Sequence, residues 1–229
     1  MTSHKRTIEE QLSYAQVAID NAMGDATVRS ALAAFGYGDE RLRQGRTLCE
    51  VAQARYQKQK MAYGDLAVAA SAFKDSWQQA QETYARNITV ARVALQDQPD
   101  AARKLRLDGH SGRRATWLAQ ARQFYANALA DPALLSGLAA FGVTQASLED
   151  GAREVEAMAA RYAARQQRKG DAQDTTRTRD EALAALARWM HNFAAIARMA
   201  LKDRPQQLEK LGLALRATPR PAARQRQVV

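Results

Sequence analysis

Apolar side chains recur at alternating steps of three and four residues along most of the chain, a spacing that is typical of amphipathic helices. One such stripe predicts a helix from about Ser3 to Met23, and a second predicts a helix from about Arg114 to Ala130. The stripes consist of Ile8, Leu12, Ala15, Ile19 and Ala22 in the first segment and Trp117, Ala121, Phe124 and Ala128 in the second.

A longer stripe in each half of the chain keeps its phase without a slip, from Leu42 to Ala91 and again from Leu148 to Ala197. An uninterrupted heptad predicts a coiled-coil-like rod. At 1.5 Å per residue, a helix from about Asp39 to Asp97 would span about 90 Å. The alternative is a hairpin folded at Gly64 and, in the second half, at Gly170. The constant spacing favours the continuous helix.

The segments "ALAAFG" (31–36) and "GLAAFG" (137–142) predict two helix ends of the same kind. Glycine at the position after a helix favours the left-handed conformation, and an apolar residue often follows it. We therefore expect Gly36 and Gly142 to end short helices that begin after the capping residues Asp25 and Asp131. The alternative interpretation of "GYG" as a phosphate loop lacks a preceding strand and the other glycines.

These segments belong to a longer internal repeat at an offset of 106 residues. "ARVALQDQP" (91–99) returns as "ARMALKDRP" (197–205), and "ARY" and "GD" return at the same offset. A period of this length indicates a duplicated helical unit. We expect an all-α fold in which residues 1–108 and 109–216 are two repeats packed as one antiparallel bundle with pseudo-two-fold symmetry. Residues 217–229 are expected to form a disordered basic tail.

The repeated "LAAFG", the glycine–leucine–glycine pattern at the start of the long helix, and the "ARVALQDQP"/"ARMALKDRP" pair resemble a group of bacterial two-repeat helical proteins. The resemblance covers most of the chain apart from the tail. It implies the all-helical architecture and no chemistry, since the group has no assigned activity and offers no functional residue to carry over.

The charge of the chain points to anionic partners, although solubility alone is the simpler explanation. The formal net charge is +10, and 46% of the residues are apolar. A basic excess attracts nucleic acid and acidic proteins. The sequence shows no membrane span and no apolar stretch of a signal peptide, so we expect a cytoplasmic protein. The lone Cys49 lies on an apolar stripe and is expected to be buried.

The sequence contains no recognisable catalytic, cofactor-binding or metal-binding pattern. Its histidines are His4, His110 and His191, and none has the Glu-x-x-His spacing of a di-iron bundle. We therefore expect no cofactor and no enzymatic activity. Of the aromatic residues that could stack on a ligand, Tyr56, Tyr162 and Trp77 lie at core positions of the heptad, whereas Trp189 lies off the stripe and is expected to be more exposed.

The two halves differ most in the middle of the long helices, where "LAVAASAF" (66–73) corresponds to "AQDTTRTR" (172–179). Unpaired charges are not tolerated in a core, so the second stretch should be solvated or bound to an anionic partner. The first stretch should then expose an apolar band, and exposed bands mark interfaces. We name as the basic segment Arg161, Arg165, Arg168, Lys169, Arg177 and Arg179, and as the apolar band Leu66, Ala70 and Phe73.

Two functions are compatible with these patterns. The first is a non-enzymatic scaffold that presents helical surfaces to other proteins or to a second copy of itself through the apolar band. The alternative is a sequence-independent nucleic-acid-binding protein that uses the basic segment and the arginines of residues 217–229 on phosphates. It would also use the basic residues of the linker between the repeats, which are Arg103, Lys104, Arg106, Arg113 and Arg114.

Overall fold

A computed structural model describes residues 6–107 and 113–213 of the chain. Within these ranges the fold is all-α, with eight helices and no strand. The helices are α1 (Ile8–Gly24), α2 (Ala26–Ala33), α3 (Asp39–Ala94), α4 (Pro99–Lys104), α5 (Arg114–Ala130), α6 (Pro132–Ala139), α7 (Gln145–Ala200) and α8 (Pro205–Lys210).

The helix lengths follow the periodicity of the sequence. Helices α1 and α5 each have 17 residues, α2 and α6 each have 8, α3 and α7 each have 56, and α4 and α8 each have 6. Each helix of the second set begins 106 residues after its counterpart.

Helices α3 and α7 continue without a break past Gly64 and Gly170, so the chain does not form the alternative hairpins. A glycine inside a helix costs only about 1 kcal/mol relative to alanine. That cost is too small to interrupt a long helix whose two ends are each packed into a core.

The predicted starts and ends of the short helices are confirmed. The Asp25 Oδ1 accepts hydrogen bonds from the first-turn N–H groups of α2, and the Asp131 Oδ1 does the same for α6. Gly36 and Gly142 have φ values of +80° and +82°. The N–H groups of the following Tyr37 and of Val143 donate back to Leu32 O and Leu138 O at 3.0 and 3.1 Å, which completes the expected glycine cap.

The described chain forms two compact units, and each unit takes helices from both halves of the sequence. Unit 1 consists of the residues up to Lys60 together with those from Thr175 onward, and unit 2 consists of residues 61–174. The boundaries of the units therefore fall inside α3 and α7. They do not coincide with the junction expected between repeats 1–108 and 109–216, and the tail 217–229 lies outside the described residues.

The core of unit 1 joins α1, α2 and the first part of α3 to the last part of α7 and to α8. The small residues Ala18 and Ala22 of α1 are fully buried in this core. The largest buried side chains of this core are Ile19, Leu32, Leu42, Phe193 and Leu201.

The core of unit 2 joins the last part of α3 and α4 to α5, α6 and the first part of α7. It is rich in aromatic side chains: the ring centroids of Tyr84 and Trp117 lie 5.5 Å apart, and those of Phe124 and Tyr125 lie 5.1 Å apart. The largest buried side chains are Tyr125, Phe124, Leu95, Leu105, Leu138, Leu148 and Met158.

Within unit 2, α3 and α7 run in opposite directions. The polar contacts between them include Arg168 to Asp65 at 3.8 Å, Arg161 to the carbonyl of Ala72 at 3.4 Å, and Gln79 to Glu154 at 2.9 Å. The contact positions advance by seven residues on α3 and retreat by seven on α7. A step of one heptad keeps the same faces of the two helices together.

Candidate functional site

The structure divides the predicted basic segment between the two units. Four of its residues belong to unit 2, and two belong to unit 1. Arg168 forms ion pairs with Asp65 and Asp171 at 3.8 and 3.9 Å. In unit 1, Arg177 pairs with Glu181 and Arg179 pairs with Asp180. Half of the basic segment is thus neutralised by carboxylates of the chain itself.

Arg179 does not fit the expectation that residues 172–179 are solvated or bound to an anionic partner. Its side chain is only 16% exposed. The guanidinium donates two hydrogen bonds to Asp180 at 2.6 and 3.0 Å. An ion pair with an adjacent carboxylate satisfies a partly buried charge without a ligand.

Two other arginines of the basic segment lie next to Ala72 and Phe73 of α3. The Arg165 guanidinium lies 5.8 Å from the centroid of the Phe73 ring, and Arg161 donates to the carbonyl of the preceding Ala72. The guanidinium of Arg114, at the first position of α5, lies 5.0 Å from the same ring. We call Arg114, Arg161 and Arg165 the arginine cluster.

Three aromatic rings support this cluster. The Arg114 guanidinium lies 5.0, 5.3 and 5.2 Å from the centroids of Phe73, Trp77 and Tyr162, within the range of cation–π attraction. Phe73 is buried, whereas Trp77 and Tyr162 are half-buried. The Trp77 ring continues into the core of unit 2 through Trp117, at 4.8 Å. The rings therefore form a rigid base whose outer edge carries the guanidinium groups.

The arginine cluster has no carboxylate partner among the residues that the structure describes. Arg114 and Arg165 contact aromatic rings, and Arg161 contacts a backbone carbonyl, but none of the three joins an ion pair within residues 6–107 and 113–213. Arg114 and Arg161 are exposed, and Arg165 is half-buried. Three uncompensated positive charges on one rigid surface favour an anion.

The corresponding place in unit 1 carries a different charge pattern. The positions 106 residues before Arg114, Arg161 and Arg165 hold Ile8, Arg55 and Gln59. There the hydroxyl of Tyr56 donates to the carboxylate of Glu9, a hydrogen bond that lowers the pKa of Glu9. At these three positions unit 1 thus has one arginine where unit 2 has three. Two further cations lie near Tyr56: Lys60, with Nζ 5.3 Å from the ring centroid, and Arg179, which is paired with Asp180.

An open groove of about 420 Å³ lies beside the arginine cluster in unit 2. Arg161 belongs to both the cluster and the groove, which is also lined by Arg86 and Glu154. The Oε1 of Glu154 accepts from Gln79, while its Oε2 is buried and has no hydrogen-bond partner among the described atoms. The groove therefore offers both signs of charge next to the purely basic cluster.

The predicted apolar band is only partly exposed. Phe73 is 7% exposed and belongs to the core of unit 2, which corrects the expectation that this ring faces outward. Leu66 and Ala70 are half-buried, and their role in self-association stays a prediction. The most exposed large apolar side chains nearby are Met61 and Val68, which are 71% and 72% exposed.

The other residues considered for chemistry have structural roles. Cys49 is buried as predicted, its thiol lies 3.8 Å from the carbonyl of Leu12, and burial raises its pKa. The expectation that Trp189 is exposed is wrong, because its ring is 7% exposed and stacks on Phe193 with centroids 5.1 Å apart. Among the described residues no group of side chains could hold a metal ion. His4 and His110 lie outside those residues.

Arg114 is predicted from the sequence as a linker residue that could contact phosphates, but the sequence does not connect this residue with the basic segment. It lies far from the basic segment along the chain, and its partners come from three helices, α3, α5 and α7. The pattern of charges along the sequence cannot show that residues of three helices come together in the fold. The only local signal was a pair of arginines, Arg113 and Arg114, at a helix start, where acidic residues are usual.

Comparison with known proteins finds no matching family model, curated protein or solved structure. Within the described residues, none of the helices combines the length and the apolar character needed to cross a membrane.

Proposed function

We propose that this protein is a non-enzymatic helical scaffold that associates with itself through the exposed apolar face of α3. The observation that supports the proposal is the exposure of Met61 and Val68. They are the two most exposed large apolar side chains of the described chain, and they lie seven residues apart on one face of the helix. We further propose that the two halves derive from a duplicated coiled-coil-like unit with pseudo-two-fold symmetry, and that the protein works in the cytoplasm.

The half-buried Leu66 and Ala70 lie on the opposite side of α3, about 140–200° around the helix axis from Met61 and Val68, so the exposed apolar face consists of Met61 and Val68. Large apolar side chains in water contribute nothing to folding, and groups of them are typical of protein interfaces. Burial of a valine or methionine side chain at an interface contributes about 1.5–3 kcal/mol. An interface between two copies of the chain would bury these side chains of both copies, so each copy would contribute this free energy of association.

Sedimentation of the full chain over a range of concentrations tests the proposal. We expect the wild type to form an oligomer and the double variant Met61→Gln/Val68→Gln to be a monomer, because glutamine keeps the helix propensity but removes the apolar surface. Val51→Gln is the matched control, since Val51 is also exposed on α3 but lies in unit 1. A wild type that stays monomeric at every concentration would overturn the proposal.

The arginine cluster favours a second candidate, sequence-independent association with nucleic acid. This function would use the unpaired arginines of the basic segment, together with Arg220, Arg224 and Arg226 of the tail. Binding dominated by phosphate contacts weakens steeply as salt rises. We expect affinity for duplex and single-stranded DNA to fall with salt and to fall further after deletion of residues 217–229. Affinity that does not change with salt would contradict this candidate.

A further inference from the structure

We propose that the arginine cluster of unit 2 is a binding site for single-stranded nucleic acid, with phosphates held by Arg114, Arg161 and Arg165 and a base stacked on the adjoining aromatic surface. The inference rests on the nucleic-acid function proposed above and assigns it to one place in the fold. It is independent of self-association through Met61 and Val68.

The charge of the site favours a phosphate ligand. The three guanidinium groups have no carboxylate partner among the described residues, in contrast to Arg168, which pairs with Asp65 and Asp171. A guanidinium group presents N–H donors in a planar fork that matches the oxygens of a phosphate. The N–H groups of Arg114 and Arg165 make no hydrogen bond within the described chain, so they remain available to a ligand.

The side chains of the site are held in place before a ligand binds. Arginine side chains lose considerable rotamer freedom when a ligand fixes them. Here the guanidinium of Arg114 is already placed against three rings, and Arg165 is placed against one of them. Phe73 is buried and its centroid lies 5.4 Å from that of Tyr162, so the support itself is fixed by packing. A ligand would bind without ordering these side chains first.

The aromatic surface of the site favours nucleic acid over an acidic protein as the ligand. The carboxylates of an acidic protein would need only positive charge, whereas a nucleic acid also needs a flat surface on which its bases can stack. The half-buried Trp77 and Tyr162 and the exposed guanidinium of Arg114 provide such a surface. Basic side chains next to aromatic rings are the usual composition of sites for single strands, where any base can stack because every base has a π-face.

The related place in unit 1 provides an internal comparison. Ile8 and Gln59 occupy the positions that correspond to Arg114 and Arg165, and Glu9 adds a negative charge beside Tyr56. The nearby Lys60 and Arg179 lie beside the carboxylates of Glu9 and Asp180, so unit 1 lacks the group of arginines without carboxylate partners over several aromatic rings. We infer that only unit 2 carries the site.

Fluorescence anisotropy of a labelled oligothymidylate, measured with the full chain at several salt concentrations, tests the inference. The variant Arg114→Gln/Arg161→Gln/Arg165→Gln should weaken binding by about tenfold or more near 0.1 M salt and reduce the slope of log affinity against log salt by about 2, since each phosphate contact to a single strand contributes about 0.7. Trp77→Leu should weaken binding without changing that slope.

The matched control is Arg43→Gln/Arg55→Gln/Lys58→Gln, which removes the same charge from exposed positions of α3 in unit 1. We expect this variant to bind within about threefold of the wild type. Equal losses in the two triple variants would overturn the site and leave only general electrostatic attraction. Displacement of the oligonucleotide by polyglutamate at equal charge concentration would overturn the assignment to nucleic acid. A wild type that does not bind at all would refute the nucleic-acid function itself.

Discussion

Gly45 of α3 lies directly against the indole ring of Trp189 on α7. A β-carbon at position 45 would come within 2.4 Å of two ring atoms of that tryptophan. The ring is fixed by stacking on Phe193 and by an edge contact with Tyr37, so it cannot move aside without disturbing the core of unit 1. The glycine thus provides the space for the largest side chain of that core.

Gly45→Ala should destabilise the protein, because overpacking of a core costs about 1–3 kcal/mol. Because the added β-carbon would clash with a fixed ring, we expect the loss in free energy of unfolding to lie at the upper end of this range. Urea denaturation monitored by circular dichroism measures the effect.

Gly64→Ala is the matched control for this prediction, since Gly64 also lies inside α3 but a β-carbon added there would have no neighbouring atom within 4 Å. Alanine should stabilise the helix at this position by about 0.5–1 kcal/mol. A Gly45→Ala variant as stable as Gly64→Ala would contradict the packing described for unit 1.

Asn87 and Tyr125 form a buried hydrogen bond between side chains in unit 2, with 3.3 Å between Asn87 Nδ2 and the phenol oxygen. Tyr125→Phe removes the acceptor and leaves a buried amide group unpaired, which costs about 1–3 kcal/mol. The double variant Asn87→Leu/Tyr125→Phe replaces both partners by apolar groups and should recover most of that loss. Chemical denaturation of the three proteins measures these differences, and a further loss in the double variant would speak against the contact.

The same tyrosine should make the fold sensitive to alkali. Burial is the main cause that raises the pKa of Tyr125 to about 12, above the ordinary value of 10.0. The protonated phenol therefore stabilises the fold fully below about pH 10, and this stabilisation is lost as the pH rises toward 12. We expect a decline in melting temperature over that interval that is weaker in Tyr125→Phe, with the ionisation followed by ultraviolet absorbance. An equal decline in both proteins would contradict the assignment.

Asp131 couples the start of α6 to α4 within unit 2. Its carboxylate accepts from Lys104 Nζ at 2.7 Å, and this hydrogen bond, with those from the α6 backbone, lowers its pKa below 3.8. Because the folded pKa is depressed, the stabilisation is present above about pH 4 and is lost as the pH falls through the folded value.

Asp131→Asn should therefore melt at a lower temperature than the wild type at neutral pH, and the difference should disappear in acid. Calorimetry between pH 7 and about pH 2.5 measures this. Asp100→Asn is a suitable control. Among the described residues Asp100 pairs only with the exposed Arg103, which lies three residues further along α4. A constant difference between Asp131→Asn and wild type at every pH would exclude the carboxylate as its source.

Local chemistry made part of this fold predictable. The left-handed glycines at 36 and 142, the aspartate caps and the unbroken long helices depend on residues close together in sequence, and the structure agrees with each of them. The burial of Trp189 was not predictable from its own helix, because the space for it is made by Gly45 on another helix.

The candidate site likewise could not be predicted from residues close together in sequence. Arg161 and Arg165 were visible as part of a basic stretch, but nothing in that stretch separates them from Arg177 and Arg179, which have carboxylate partners. The distinction depends on Phe73 and Arg114, which reach the site from α3 and α5. Charge patterns identify a basic segment, and only tertiary packing identifies which of its charges are free.

The central structural claim is that each compact unit combines helices from both halves of the chain. Separate expression and mixing of residues 1–108 and 109–229 test it most directly, with thermal unfolding and sedimentation as the measurements. We expect each half alone to lack the cooperative transition of the whole chain, and the mixture to regain it as a one-to-one complex. Two halves that each unfold cooperatively as monomers, with no change on mixing, would contradict the claim.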